Sequence, residues 1–365
     1  MPRKTNARAA QGTGTVRKKK VIRNGKTYEY WEARITIGTN PGTGKQIQRS
    51  FSGPTQKEVT QKMKAALHEL DMGIYTAPSK YTVEQWADTW LEEYVKPSVK
   101  LQTYYSYKNA MKTHVKPLLG KIKLSDINST QLQTFCNDLT RKKELAPKSV
   151  KNIMGAFHKA LEQAKELKYI PFNPAEAVKL PRVEKKEVKP LTETEIAAFL
   201  KKIKEGEQFE RLFVVTLFTG LREGEICGLS WDAVDFENGT ITVKQQLQKE
   251  KEKGGSFYIA TTKSGKARII TAAPYVMDVL RLRRSEQYRD KMRAGGTWNN
   301  EWNLVFTYPD GGHIPPQTVL KHFKKITKMI GRPDARFHDL RHTYAVMSLQ
   351  EGDDVKTVQE NLGHA

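Results

Sequence analysis

Residues 209–235 read FERLFVVTLFTGLREGEICGLSWDAVD, and residues 336–345 read RFHDLRHTYA. Phe209 to Phe218 reads as an apolar helix, and Thr219-Gly220 ends it. Arg222 then stands at a Gly-bounded helix start, where a guanidinium can be held rigidly and face outward. Glu225, three residues on, is spaced to brace Arg222 as an i,i+3 pair; an ordinary surface ion pair would use the same spacing. In the second stretch His338 and Arg341 share one helix face, while Leu340, Tyr344 and Met347 point to the core. Between the two stretches lie three short strands, at 240–243, 257–261 and 267–271, with Lys263-Ser264-Gly265-Lys266 read as the turn joining the second and third. A last helix carries Val355, Val358 and Leu362 and ends at Gly363, with His364 just beyond. This part of the chain is therefore expected to be a mixed α/β domain.

Upstream, Thr192 and Glu195 have capping-box spacing and open that domain. The segment 179–190 carries Lys179, Arg182, Lys185, Lys186 and Lys189 and reads as a basic linker. Before it, residues 80–178 are helical in pattern. Thr82 caps a stripe of Val83, Trp86, Trp90 and Tyr94, broken at Pro97. A second helix runs from Tyr104 to Val115 and stops near Pro117 and Gly120; a third runs from Thr130 to Leu139; Pro147 opens a long one with Val150, Ile153, Phe157 and Leu161. The aromatic stripes read as core. The lysines between them (Lys108, Lys112, Lys142, Lys143, Lys148, Lys151) suit a track of phosphates or a solvated face. Near the N-terminus, Trp31, Ala33, Ile35 and Ile37 alternate as a strand does, Asn40 to Gly44 is turn chemistry, and Gln46 to Phe51 returns. Thr55 and Glu58 cap a helix with Val59, Met63, Leu67 and Leu70 on one side. A small sheet with one helix behind it, rich in Lys and Arg, suits laying strands into a DNA groove; the alternative is a small α+β domain of any other kind. Residues 1–26 hold nine Lys or Arg and no acid, a basic arm or a solvated tail.

The chain has 365 residues, enough for two or three domains of about 150 residues. Lys and Arg number 62 against 40 Asp and Glu, a formal charge of +22, with pI near 9.7. Such a charge attracts polyanions, nucleic acid foremost, although solubility or an acidic membrane face would also use it. Mean hydropathy is −0.64 and no apolar run is long enough to span a bilayer. No secretory signal is visible. Cys136 and Cys227 are the two cysteines, too few for a disulfide framework or a zinc finger, so a reducing, cytoplasmic setting is expected.

Arg222, Arg341, Lys263, His338 and His364 are donors suited to one phosphate. Two guanidiniums can fork onto non-bridging oxygens and stabilise a pentacoordinate phosphorane without a metal. A lysine can protonate a leaving alkoxide, and imidazole moves protons near neutral pH.

The motifs TGLREGEICGLSWDAVD, TTKSGKARII, FHDLRHTYA and NLGHA, in this order, resemble the tyrosine recombinases of the phage-integrase type, and most nearly the integrases of conjugative transposons and related temperate phages. The resemblance runs through the whole chain. It implies a multidomain, mainly α fold with small β elements: a basic arm and arm-type DNA-binding domain with a three-stranded sheet plus helix at 1–75, a helical core-binding (SAM-like) domain at 76–178, the basic linker at 179–190, and a mixed α/β catalytic domain at 191–365. Arg222 and Arg341 match the two phosphate-binding arginines. Lys263 matches the general acid toward the 5′-oxygen, with Lys266 a weaker substitute. His338 matches an acid/base group, His364 a donor to the scissile phosphate, and Glu225 a supporting acid. The implied activity is site-specific DNA recombination through a 3′-phosphotyrosyl link, without ATP, metal or other cofactor. The implied partners are core-type and arm-type DNA duplexes, a tetramer of the chain itself, an excisionase and a DNA-bending host protein, in a bacterial cytoplasm.

One departure stands out. The family's tyrosine nucleophile lies a short way beyond the LGH histidine, and this sequence stops at Ala365, so the chain is expected to be a fragment that binds its site without cutting it. Tyr344, among core-facing positions, is rejected for that role. Two other readings compete. His338 and His342 have the spacing of a zinc-binding helix, but HExxH needs Glu where Asp339 stands, and Arg341 would crowd a metal. A DNA-binding regulator without chemistry has no evident use for the GLR and HxxR boxes.

Overall fold

The computed structural model describes residues 14–23, 26–39, 45–71, 80–184, 187, 189–250, 254–262 and 265–363. The chain divides into two units, residues 1–183 and 184–365.

In the first unit, strands β1 (Thr15–Arg23), β2 (Lys26–Thr39) and β3 (Gln46–Gly53) form an antiparallel sheet in that order. Helix α1 (Gln56–Asp71) begins where the Thr55 hydroxyl accepts from the Glu58 amide at 3.3 Å. The alternation in β2 works as expected: Ala33 and Ile35 are buried against Val59, Met63 and Ala66 of α1, with Trp31 and Ile37 beside them. The opposite face holds an unexpected group. Glu32 is 7% exposed and gathers Arg17 at 2.9 Å, Lys19 at 3.0 Å and Arg34 at 3.3 Å.

The helical part that follows comprises α2 (Val83–Thr89), α3 (Leu101–Ala110), α4 (Lys116–Leu119), α5 (Ser129–Arg141) and α6 (Pro147–Glu166). Capping boxes open α2 at Thr82 with Gln85 and α5 at Asn128 with Gln131. The aromatic stripe is core: Trp86 is 1% exposed and donates its indole N–H to the Ala160 carbonyl at 2.7 Å. Trp90 stacks on Tyr107 with centroids 5.7 Å apart. The expected stop near Pro117 and Gly120 is met: α4 ends at Leu119, with Gly120 at its C-cap. The rod runs on from α3 through a π-helical turn (Met111–Val115) into α4, with Pro117 in the first turn of α4. A second π-helical turn, Trp90–Val95, extends α2.

The second unit starts with α7 (Glu193–Lys204), opened by the Thr192–Glu195 capping box. Helix α8 (Glu210–Thr219) is buried almost all round, as its apolar composition requires, and α9 (Glu223–Cys227) follows. Strands β4 (Val234–Asp235), β5 (Thr240–Val243) and β8 (Arg268–Thr271) make one antiparallel sheet, while β6 (Gln245–Lys249) and β7 (Phe257–Thr261) make another. This corrects the reading of residues 257–271 as a hairpin: β7 pairs with β6, and β8 pairs with β5. Strands β4 and β6 escaped the sequence because one is two residues long and the other, QQLQK, is almost wholly polar. Helices α10 (Pro274–Ala294), α11 (Pro316–Met329), α12 (Phe337–Gln350) and α13 (Val355–Leu362) complete the unit. Arg283 and Gln287 of α10 donate to the carbonyls of Val305 and Leu304 at 3.1 and 2.9 Å, fixing the chain that leads to α11.

Candidate active site

Two helix ends make the floor of the site. Helix α8 finishes at Gly220 (φ 63°) and α13 at Gly363 (φ 62°), both in the left-handed conformation that glycine adopts without strain. A side chain at Gly220 would put its Cβ 2.6 Å from Tyr344 Cδ1 and 2.8 Å from Leu362 Cδ2. With no such obstacle, α12 and α13 close over the end of α8. Arg341, on α12, is 2% exposed and reaches both ends. Its Nη1 donates to the Gly220 carbonyl at 2.9 Å, and its Nη2 donates to the Leu362 carbonyl. The negative ends of two helix dipoles thus converge on one guanidinium. Burial, then the nearby charges of Arg222 and Arg268, push its pKa down to about 10, so it stays a cation at neutral pH. Its Nε–H has no partner among the described residues.

Glu225 is the second focus. It is 2% exposed. Arg222 stands at the N-terminal boundary of α9, and Glu225 accepts from the Arg222 backbone N–H at 2.9 Å and from Nη1 at 2.8 Å. Arg268, on β8, donates to the same carboxylate from Nη1 at 3.0 Å and Nη2 at 2.6 Å. Burial alone would raise the Glu225 pKa; the hydrogen bonds and charge of Arg268, joined by those of Arg222, hold it at about 2. The Arg222–Glu225 pair is therefore a buried brace rather than a surface ion pair. Arg268 also donates from Nε to the Asn361 carbonyl at 2.8 Å, tying β8 to the end of α13. Sequence reasoning missed Arg268. The signal was available: in β8 Arg268 alternates with Ile270, so a buried Ile270 places a guanidinium on the inward face, where it needs an acid.

His338 is exposed on the α12 face that Arg341 shares, with the His342 ring 4.9 Å away at 89°. Partial burial, then the charges of His342, Arg341, Arg222 and Arg336, hold its pKa to about 4, so the imidazole is neutral at pH 7 and can accept a proton. Asp339 is occupied otherwise: at the start of α12 it accepts from the Arg336 backbone N–H and Nη2, both at 2.8 Å. Tyr344 is 8% exposed, and its hydroxyl accepts from Asn361 Nδ2 at 3.3 Å. Among the described residues no group of His, Cys, Asp and Glu could hold a metal ion. Lys263 and His364 lie outside the described residues; Lys266 is exposed.

The fold thus brings Arg222, Glu225, His338 and Arg341 together and adds Arg268. Three guanidiniums against one carboxylate leave a net positive pocket suited to an anion.

The model of the Phage integrase family matches residues 189–365, and that of the phage integrase N-terminal SAM-like domain matches residues 82–140. A tyrosine recombinase XerC-like protein of Caldanaerobacter subterraneus is 32% identical, over 96% of this chain and 92% of its own length. The chain belongs to the tyrosine recombinase family. Among other members, the ICEBs1 integrase of Bacillus subtilis is 23% identical over 92% of this chain and 89% of its own. The solved structure of the Tn1549 transposon integrase with a circular intermediate DNA has a similar fold, with TM-score 0.68 at 21% identity, covering 78% of this chain and 92% of that one. A lambda integrase tetramer bound to a Holliday junction gives TM-score 0.57 at 19% identity, over 95% of both chains. As a tyrosine recombinase the chain is a site-specific DNA recombinase of the kind that mobile elements use. No helix among the described residues is long and apolar enough to cross a membrane.

Proposed function

We propose that Arg222 and Arg341 clamp the scissile phosphodiester of a DNA attachment site, and that a tyrosine attacks it to leave a 3′-phosphotyrosyl link and a free 5′-hydroxyl. The observation that carries this reading is the Arg341 guanidinium, buried on two helix ends yet keeping an unspent N–H beside two further arginines. Charge fixed before the substrate arrives needs no reorganisation when the phosphorane forms. His338, neutral and accepting, takes the proton of the attacking hydroxyl. Lys263 protonates the leaving 5′-oxygen and His364 donates to a phosphate oxygen, roles that rest on the family resemblance. The partner duplex's 5′-hydroxyl reverses the attack, and bond energy is kept in the link. The tyrosine is the one the resemblance places beyond His364.

By the same reading the domains divide at 1–75, 76–178, 179–190 and 191–365, with the first contacting arm-type and the second core-type DNA. Self-association to a tetramer on DNA is supported by the lambda integrase assembly. A cytoplasmic setting, an excisionase and a DNA-bending host protein rest on the resemblance alone.

The test uses duplexes that this chain selects from random-sequence DNA, and the chain together with its tyrosine. Arg341→Ala or Arg222→Ala is expected to cut the rate of covalent capture by about 100- to 1,000-fold while sparing most of the site affinity. Normal capture by either variant refutes the clamp. Site affinity should fall steeply with salt through counterion release; salt-independent binding refutes a phosphate-led interface.

A further inference from the structure

Arg268 has no task in the reaction as written, yet it holds the most heavily used group in the site. A carboxylate offers about four acceptor positions. In Glu225 they are taken by the Arg222 backbone N–H, Arg222 Nη1, and Arg268 Nη1 and Nη2. Without Arg268, two of these would be left unmet on an anion whose side chain is 1% exposed. Unmet lone pairs on a buried charge are costly, and the donors nearest to relieve them are the remaining Arg222 N–H groups. Arg222 would then fork onto Glu225, and its charge would be spent there.

We propose that Arg268 is a positioning residue: by saturating Glu225 it keeps the Arg222 guanidinium positive and available to the scissile phosphate. This rests on the clamp reading above. A second link widens the role. The Arg268 Nε–H bond to the Asn361 carbonyl, with its Cδ 3.0 Å from where a Cβ of residue 363 would stand, registers the end of α13 that also supplies the Leu362 carbonyl to Arg341. One strand residue therefore serves both arginines of the clamp.

The experiment measures single-turnover covalent capture of the selected duplex by the tyrosine-bearing chain, with site affinity and melting temperature recorded for each variant. Arg268→Ala is expected to slow capture by about 10- to 100-fold with site affinity nearly unchanged, and Arg268→Lys to recover part of that rate. The deciding variant is Arg268→Ala with Glu225→Gln. Removing the carboxylate charge releases Arg222, so the double variant should capture about tenfold faster than Arg268→Ala alone, whereas a merely structural role makes the second substitution neutral or harmful. An uncharged methylphosphonate at the scissile position should shrink the Arg268→Ala defect, because less cationic charge is then needed. If Arg268→Ala does not fold, Arg268→Gln, which retains bulk but not the charge, takes its place with the same outcomes. Normal capture by Arg268→Ala, or no rescue by Glu225→Gln, overturns the proposal. Arg341→Ala runs alongside: if it too captures normally, the clamp reading is what has failed.

Discussion

Gly220 and Gly239 have nearly the same backbone, φ 63° and 64°, and differ in what surrounds them. A Cβ at Gly220 meets Tyr344 at 2.6 Å and Leu362 at 2.8 Å; a Cβ at Gly239, in the turn between β4 and β5, meets nothing within 4 Å. Alanine at either position carries the left-handed penalty, roughly 1–2 kcal/mol. Only Gly220→Ala adds overpacking, because rings and branched carbons in a packed interior cannot withdraw, and that adds about 1–3 kcal/mol. The difference between the variants therefore isolates packing from backbone strain. For a unit of this size it should appear as a gap of roughly 2–12 °C in melting temperature, at some 2–4 °C per kcal/mol. Both glycines lie in the second unit, so one calorimetric transition reports both. Capture should separate them as well, because Gly220 supplies the carbonyl that holds Arg341. Variants melting within a degree of each other would refute the argument that glycine is required at 220 for space.

His338 should titrate near pH 4 rather than 6.5 in the folded chain, read by NMR of labelled histidine. Because the unfolded chain takes up that proton first, this group should withdraw stability as pH falls from 6.5 toward 4; a normal midpoint would remove the cationic surround. Glu32 has the opposite sign. Burial opposes its ionised form, but hydrogen bonds from Lys19 and Arg17 outweigh this and hold its pKa at about 2. Its contribution to the first sheet should be complete above pH 4.5 and disappear as pH falls through about 2, and Glu32→Gln should abolish that dependence in acid melts. Chelation should leave capture by the tyrosine-bearing enzyme intact; sensitivity to EDTA would restore the metal reading of His338 and His342.

Much of the architecture was legible because local signals agreed with the fold. Thr82, Thr192 and Thr55 mark helix starts through a side chain and an amide three residues away, and Trp86 and Phe157 report burial through their size and period. The unread parts are those that depend on distant neighbours. QQLQK becomes β6 through pairing with β7. The site divides the same way. Arg222, Glu225, His338 and Arg341 lie in compact motifs, and the brace of Arg222 by Glu225 is an i,i+3 pair. Arg268 reaches Glu225 across 43 residues, a contact no local period announces.

The bonds that hold Arg341 run to Gly220, 121 residues earlier, and to Leu362, 21 residues later. A polypeptide leaves the ribosome amino end first, and its domains fold as they emerge. The N-terminal sheet and the helical bundle are complete long before residue 362 exists. Arg341 therefore spends its first moments without its second carbonyl, and the guanidinium is fixed only after residue 362 has been made.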